Sequence, residues 1–193
     1  MRTLEPNFVV GVGGSAGGLY AYIALLDALP ANTGMAFVIV SHMLPTAQNL
    51  LANILVYHTK MPVRIAAQAM PIRANHVYVN PPNTDLRMEG QVFTLVSPRT
   101  RSNKQVDFFL MSLAEHMGTQ AIGIVLSGYD GDGTQGCRQI KANGGKTFAQ
   151  DASANVGDMP QSAQDAGCID FVLSPEKISE HLQLLSAARP VGR

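Results

Sequence analysis

Charge of either sign is scarce in this 193-residue chain. Only 15% of its residues are Asp, Glu, Lys or Arg, and the fourteen basic and fourteen acidic ones cancel. No basic stripe stands out, so neither nucleic acid nor anionic lipid is an expected partner. Cysteine is nearly absent too. Cys137 and Cys168 form no C-x-x-C pair and no metal-binding spacing, which points to a reduced, cytoplasmic protein without a metal site. No apolar run approaches the ~20 residues of a spanning helix, so membrane insertion is not expected, and the N-terminus lacks a charged-then-apolar signal. Internal repeats, linkers and low-complexity tracts are missing as well. What is present, 46% hydrophobic residues, suits one globular domain with a substantial core.

That core is organised around residues 8 to 18. Phe8-Val9-Val10 and Val12 make a short apolar, β-branched run that breaks at a glycine cluster, and an apolar-periodic segment follows at once. The pattern reads as a buried strand, a tight turn and a helix, with Ser15 at the corner. Two motifs compete for the turn. Gly11 to Ala16 fits the G-x-G-x-x-G/A pattern of dinucleotide binding, whereas Gly13-Gly14-Ser15-Ala16-Gly17 fits G-x-S-x-G, in which a serine sits exposed on a strained turn. Dinucleotide binding calls for an acidic residue at the end of the next strand to hold a ribose. That strand, Ala36 to Val40, ends instead in Ser41-His42. A histidine there suits a general base for a serine nucleophile.

Strands are expected at 8–12, 36–40, 63–67, 76–80, 91–96, 122–126, 145–150 and 169–173. Helical spacing recurs from Leu19 to Leu29, from Asn49 to Thr59, from Val106 to Met117, from Thr134 to Ala142 and from Pro175 to about Ala187. Such alternation predicts an α/β fold with a doubly wound, mainly parallel sheet, a Rossmann-like three-layer sandwich. Between Val63 and Val96 no helix is predicted. Arg87 to Phe93 reads as a hairpin, an antiparallel excursion near one edge of the sheet. Pro98 to Lys104, with Arg99 and Arg101, reads as a solvated loop, and the stretch from Asp151 through Pro160 as a polar loop.

Ser15, His42 and the pair Asp130 and Asp132 each follow the carboxyl end of a predicted parallel strand, so they share one rim of the sheet. A serine needs a base, and the base needs a carboxylate to fix its tautomer. His58, His116 and His181 fall within predicted helices, where solvated or packed side chains are the default, and His76, ahead of Val77-Tyr78-Val79, suits fixing a turn better. Either aspartate could serve as the third member, and either could simply cap the following helix.

Taken together, Gly13-Gly14-Ser15-Ala16-Gly17-Gly18-Leu19, Val40-Ser41-His42-Met43, Asn75-His76-Val77-Tyr78-Val79-Asn80-Pro81-Pro82, Val106-Asp107-Phe108-Phe109, Leu126 to Gly133, Gln150-Asp151-Ala152-Ser153 and Gly157-Asp158-Met159-Pro160 resemble the catalytic domain of the CheB family, the chemotaxis protein-glutamate methylesterases. The resemblance covers about residues 8–182 of a single catalytic domain spanning 1–193, with no receiver domain in this chain. Pro81 to Leu86 looks closest to the branch in which this domain is fused to a receptor methyltransferase.

By position, the resemblance implies Ser15 as nucleophile, His42 as base, Asp132 as orienting carboxylate and the backbone N–H of Tyr129 as oxyanion donor. It implies hydrolysis of γ-glutamyl methyl esters, and in some members deamidation of glutamine, with no metal or organic cofactor. The implied partner is a methyl-accepting chemotaxis receptor or a similar methylated protein, with a receptor methyltransferase fused or separate. Three positions depart from the family pattern: Ala16 for threonine, Ser41 for glutamine, and Asp130 for glycine. A second carboxylate near the base would raise the histidine's pKa and weaken it as a base. The rival expectation is therefore a binding or regulatory module of the same fold with little turnover.

Overall fold

A computed structural model describes residues 5–42, 50–100 and 102–188. Asn49, Met43 and Arg101, all used in the sequence reading, lie outside them. The first half of the chain gives β1 (Phe8–Gly14), α1 (Gly18–Asp27), β2 (Met35–Ser41), α2 (Leu50–Leu55), β3 (Val63–Ile65), β4 (His76–Val79), β5 (Asp85–Glu89) and β6 (Val92–Val96). The second half gives α3 (Gln105–Met117), β7 (Ala121–Val125), α4 (Thr134–Ala142), β8 (Lys146–Gln150), α5 (Asp158–Asp165), β9 (Phe171–Leu173) and α6 (Pro175–Ala188).

Seven strands form one parallel sheet in the order β3-β4-β2-β1-β7-β8-β9. The chain builds outward from β1 through β2 to β4, then returns to lay β7 on the other side of β1. That reversal opens a crevice at the carboxyl ends of β1 and β7, where open α/β sheets hold their ligands.

The period-2 alternation of β1 sorts its side chains between two cores. Phe8, Val10 and Val12 join Tyr22 and Leu25 of α1, Leu55 of α2 and Leu182 of α6. Val9 faces the other way, with Val106, Phe109 and Leu113 of α3, Ile140 of α4 and Met159 of α5. Gly11 and Gly13 share that second face, and their bareness is what lets α3 lie against the strand. A Cβ on Gly11 would stand 2.4 Å from Leu110 Cδ2, and one on Gly13 would stand 2.2 Å from Val106 Cγ1. The glycine spacing that mimics a dinucleotide motif is thus accounted for by helix packing.

The expected hairpin is present as a separate two-stranded sheet, β5 with β6. It does not add a strand to the parallel sheet. Ala69 N–H bonds Phe93 O, Phe93 N–H bonds Met70 O and Ile72 N–H bonds Gln91 O, which hold it to the segment that leaves the edge strand β3. Two helices differ from expectation. Helix α2 ends at Leu55 instead of running to Thr59, and tighter turns at Tyr57 and His58 take over. Helix α5 occupies part of the stretch read as a loop. Pro160 misleads there, because it is the third residue of the helix, where its missing N–H has no intrahelical acceptor to lose.

Among the described residues no helix is long and apolar enough to cross a membrane.

Candidate active site

Ser15 is the first residue beyond β1, and His42 the first beyond β2. Gly14 pairs in register with Ser41, and His42 N–H approaches Gly14 O at 3.4 Å. Serine and histidine therefore leave neighbouring strands, ~4.8 Å apart, at the same level. No hydrogen bond joins their side chains in this structure. Ser15 is half-buried, and it is not among the residues of positive φ. The left-handed backbone of the turn falls two residues on, at Gly17 (φ 73°), which caps α1. The serine is thus presented without the strain expected of the G-x-S-x-G reading, because a glycine absorbs the bend.

Ser127 ties this turn down. Its carbonyl accepts Ser15 N–H at 2.9 Å, and its hydroxyl donates to Ala16 O at 2.8 Å while accepting Val156 N–H at 2.9 Å. Its own N–H bonds Gln150 Oε1 at 3.0 Å. One wholly buried serine at the end of β7 thereby links the β1 turn to the loop after β8. On the other flank, the Asn80 side chain brackets Ser41, accepting its N–H at 2.9 Å and donating to its carbonyl at 3.2 Å. Beneath both turns lies the Tyr22 phenol. Burial drives its pKa well up, only partly offset by the Ser41 side chain. A Cβ on Gly14 would stand 2.6 Å from its oxygen.

His42 Nε2 stands 2.6 Å from Asp132 Oδ2. The imidazole is 9% exposed and the carboxylate is fully buried. A buried carboxylate is costly unless its oxygens are bonded, and these are. Oδ1 accepts Asp107 N–H at 2.8 Å and Gly133 N–H at 2.9 Å; Oδ2 accepts Val106 N–H at 3.0 Å besides His42. Val106 and Asp107 are the second and third residues of α3, whose N-cap Lys104 supplies no side-chain bond. Asp132 therefore caps α3 from a different segment, and the helix dipole favours its negative charge.

Asp130 lies elsewhere. It is exposed, holds φ 66°, and accepts Asp132 N–H on Oδ1 at 2.8 Å. Aspartate tolerates this left-handed conformation by bonding its own backbone, so it serves where a glycine would otherwise be needed. Its charge is solvated and turned to the loop.

Of the residues singled out, the structure brings His42 and Asp132 into contact, starts Ser15 level with His42 on the neighbouring strand and leaves Asp130 at the surface. Tyr129 is 60% exposed, and its N–H has no acceptor among the described residues; the same holds for Ala16 N–H, next to the serine. The sequence reading did not single out Ala16 N–H, the Ser127 hub or the Val106–Asp107 cap. Backbone donors carry no residue signature, although Val106-Asp107 stood out as a motif. His58 pairs with Asp27 at 3.1 Å, and His76 bonds Ala74 O at 2.9 Å. Cys137 and Cys168 are free and buried, and burial pushes both thiols up, which makes them poor nucleophiles. Among the described residues no group of three or more His, Cys, Asp or Glu could hold a metal.

The chain is similar to proteins already known. The profile described as CheB methylesterase matches residues 10–182. A Leptospira interrogans protein is 34% identical over 173 residues, 88% of this chain and 90% of its own. A Cupriavidus metallidurans protein named protein-glutamate methylesterase/protein-glutamine glutaminase 2 is 33% identical over 178 residues, 90% of this chain but 53% of its own. Among solved structures, the Thermotoga maritima CheB methylesterase catalytic domain superposes with a TM-score of 0.85 at 30% identity, covering 92% of this chain and 98% of that one.

Proposed function

The chain belongs to the CheB methylesterase family, and from that membership we propose how it works as a protein-glutamate methylesterase: Ser15 attacks the γ-carbonyl of a methylated glutamate side chain with His42 as its base. The reading is carried by one observation, the 2.6 Å contact of His42 with the buried Asp132 at the rim of the sheet where Ser15 leaves the neighbouring strand. Asp132 engages Nε2, so Nδ1 is the nitrogen left to take the serine proton. The carboxylate fixes that tautomer and stabilises the imidazolium that forms. The open N–H groups of Tyr129 and Ala16 are the candidate donors to the tetrahedral oxyanion.

Collapse of the tetrahedral intermediate breaks the C–OCH3 bond, and His42 returns its proton to the leaving methoxide as methanol. Water, activated by the same imidazole, then hydrolyses the acyl-serine to free glutamate. A glutamine side chain enters the same sequence with ammonia as the leaving group, which matches the second activity in the relatives' names. The substrate is a methylated protein, and we take it to be a chemotaxis receptor whose adaptation the reaction resets. A receptor methyltransferase is the enzyme class that supplies such an ester.

The deciding experiment is methanol release from a methylated receptor fragment, with Ser15→Ala beside the wild type. Ser15→Ala should lower turnover by about 10⁴–10⁶-fold and abolish labelling by a fluorophosphonate. Near-wild-type release from Ser15→Ala would overturn the mechanism. A wild type that neither labels nor releases methanol would favour a binding module of the same fold.

A further inference from the structure

We propose that Asp107 is a positioning residue for the His42–Asp132 pair, locking the two helices between which the Asp132 carboxylate is held. The proposal deepens the reading of Asp132 as the orienting carboxylate and rests on it.

The geometry is reciprocal. Asp132, two residues ahead of α4, caps the N-terminus of α3. Asp107, the third residue of α3, returns the bond: its Oδ1 accepts the N–H of Gly136, the third residue of α4, at 2.9 Å. The N-cap positions Lys104 and Gly133 supply no side-chain bond to either helix. Each helix start is therefore satisfied by an aspartate carried on the other's chain segment.

Asp107 also joins the two halves through its own atoms. Its N–H holds Asp132 Oδ1 at 2.8 Å while its carboxylate holds α4. The residues that carry Asp132 are thus fixed at both ends to the same turn of α3. Gly136 permits this closeness, because a Cβ there would stand 2.4 Å from Leu110 Cβ. Gly133, at φ 95°, makes the turn between the two bonds.

Asp107 is 6% exposed. Burial raises its pKa, and the charge of Asp132 pushes it further up; the Gly136 N–H and the Lys104 ammonium, 3.6 Å away, pull it down. Asp132, Lys104 and the Cys137 and Cys168 thiols are the titratable groups around it, with His42 beyond Asp132. A carboxylate kept in so unfavourable a place has a specific partner, and that partner is the α4 backbone.

The test is carried out on the intact chain with 15N-labelled histidine, well below the melting temperature of each variant. The His42 Nε2–H resonance reports the imidazole–carboxylate bond directly. In Asp107→Ala, that proton should move upfield and exchange with water at least tenfold faster. Phosphonylation of Ser15 by a fluorophosphonate should slow by about 10–100-fold, the scale on which an oriented base matters. Asp107→Asn, whose amide oxygen still accepts from Gly136, should stay within about threefold of wild type in both readouts. Asp107→Ser, too short to reach Gly136, serves in place of the alanine variant if that one does not fold. Wild-type resonance and rate in the alanine or serine variant, with only a lower melting temperature, would overturn the proposal. So would an asparagine variant as impaired as alanine. The resonance decides the positioning role independently of whether methanol is released, so the two readings fail separately.

Discussion

His42 and Asp132 are 90 residues apart in sequence, yet Nε2 and Oδ2 meet at 2.6 Å in a site where the carboxylate has no exposure. The meeting has a consequence for the ring: with Asp132 on Nε2, the neutral imidazole carries its proton there and leaves Nδ1 bare. Nitrogen-15 spectra should show the Nε2–H tautomer. Asp132→Asn should invert that preference, because the amide can donate to Nε2, and turnover should fall by roughly 10⁴-fold. Its melting temperature should drop far less than a lost fold would require, since the Asn oxygen still accepts from α3. A residual activity within tenfold of wild type would show that Asp132 does not orient the base.

Gly13 marks where the strand meets the helix whose N-terminus Asp132 caps. Gly13→Ala would drive a methyl to within 2.2 Å of Val106 Cγ1. Overpacking of this kind typically costs about 1–3 kcal/mol. It should also lower activity, because displacing Val106 displaces the N–H that holds Asp132. Adding Val106→Ala, which removes both γ-methyls, should recover most of the stability. Absence of coupling between the two substitutions in a double-mutant cycle would show that the crowding is relieved some other way.

Asp130 stands where the family resemblance implies glycine, and a second carboxylate facing His42 would burden the base. Its exposure and its bond to Asp132 N–H argue otherwise. Asp130→Gly should keep kcat within about threefold and leave the pH–rate profile in place, since a solvated charge acts weakly through water. A shift of the acidic limb by a full pH unit would show that the carboxylate acts on His42 after all.

Asp170 supplies a pH signature of stability remote from the site. Burial pushes its pKa up, but the Thr147 N–H, the Lys141 ammonium and the Thr147 hydroxyl outweigh burial and hold it below the ordinary carboxylate value. A carboxyl depressed on folding stabilises above its unfolded pKa, ~3.9, and loses that contribution as the pH falls through the folded value. Asp170→Asn should therefore lower the melting temperature by a few degrees at pH 7, the effect of about 1 kcal/mol in a chain of this size. The gap from wild type should close below about pH 4. A gap independent of pH would assign the loss to packing instead of charge.

The sequence by itself determined the sheet and the rim. Short continuous apolar runs, separated by helical spacing, bury both faces of a sheet in the parallel, doubly wound arrangement, and that arrangement sends Ser15, His42 and Asp132 to one edge. Their types and order were legible because side-chain chemistry is written in the residue names. What only the tertiary structure decided concerns the backbone. The family resemblance already pointed to Asp132 over Asp130, but why Asp132 meets the imidazole depends on which of them satisfies the first turn of α3, a helix formed some 25 residues earlier. That Gly11 and Gly13 serve helix packing and no phosphate depends on how closely α3 lies against β1. The helix at Asp158–Asp165 was hidden by a proline whose position in the first turn makes it harmless. In each case the physical reason is the same: buried backbone N–H groups must find acceptors, and which acceptor lies within reach is set by the packing of distant segments.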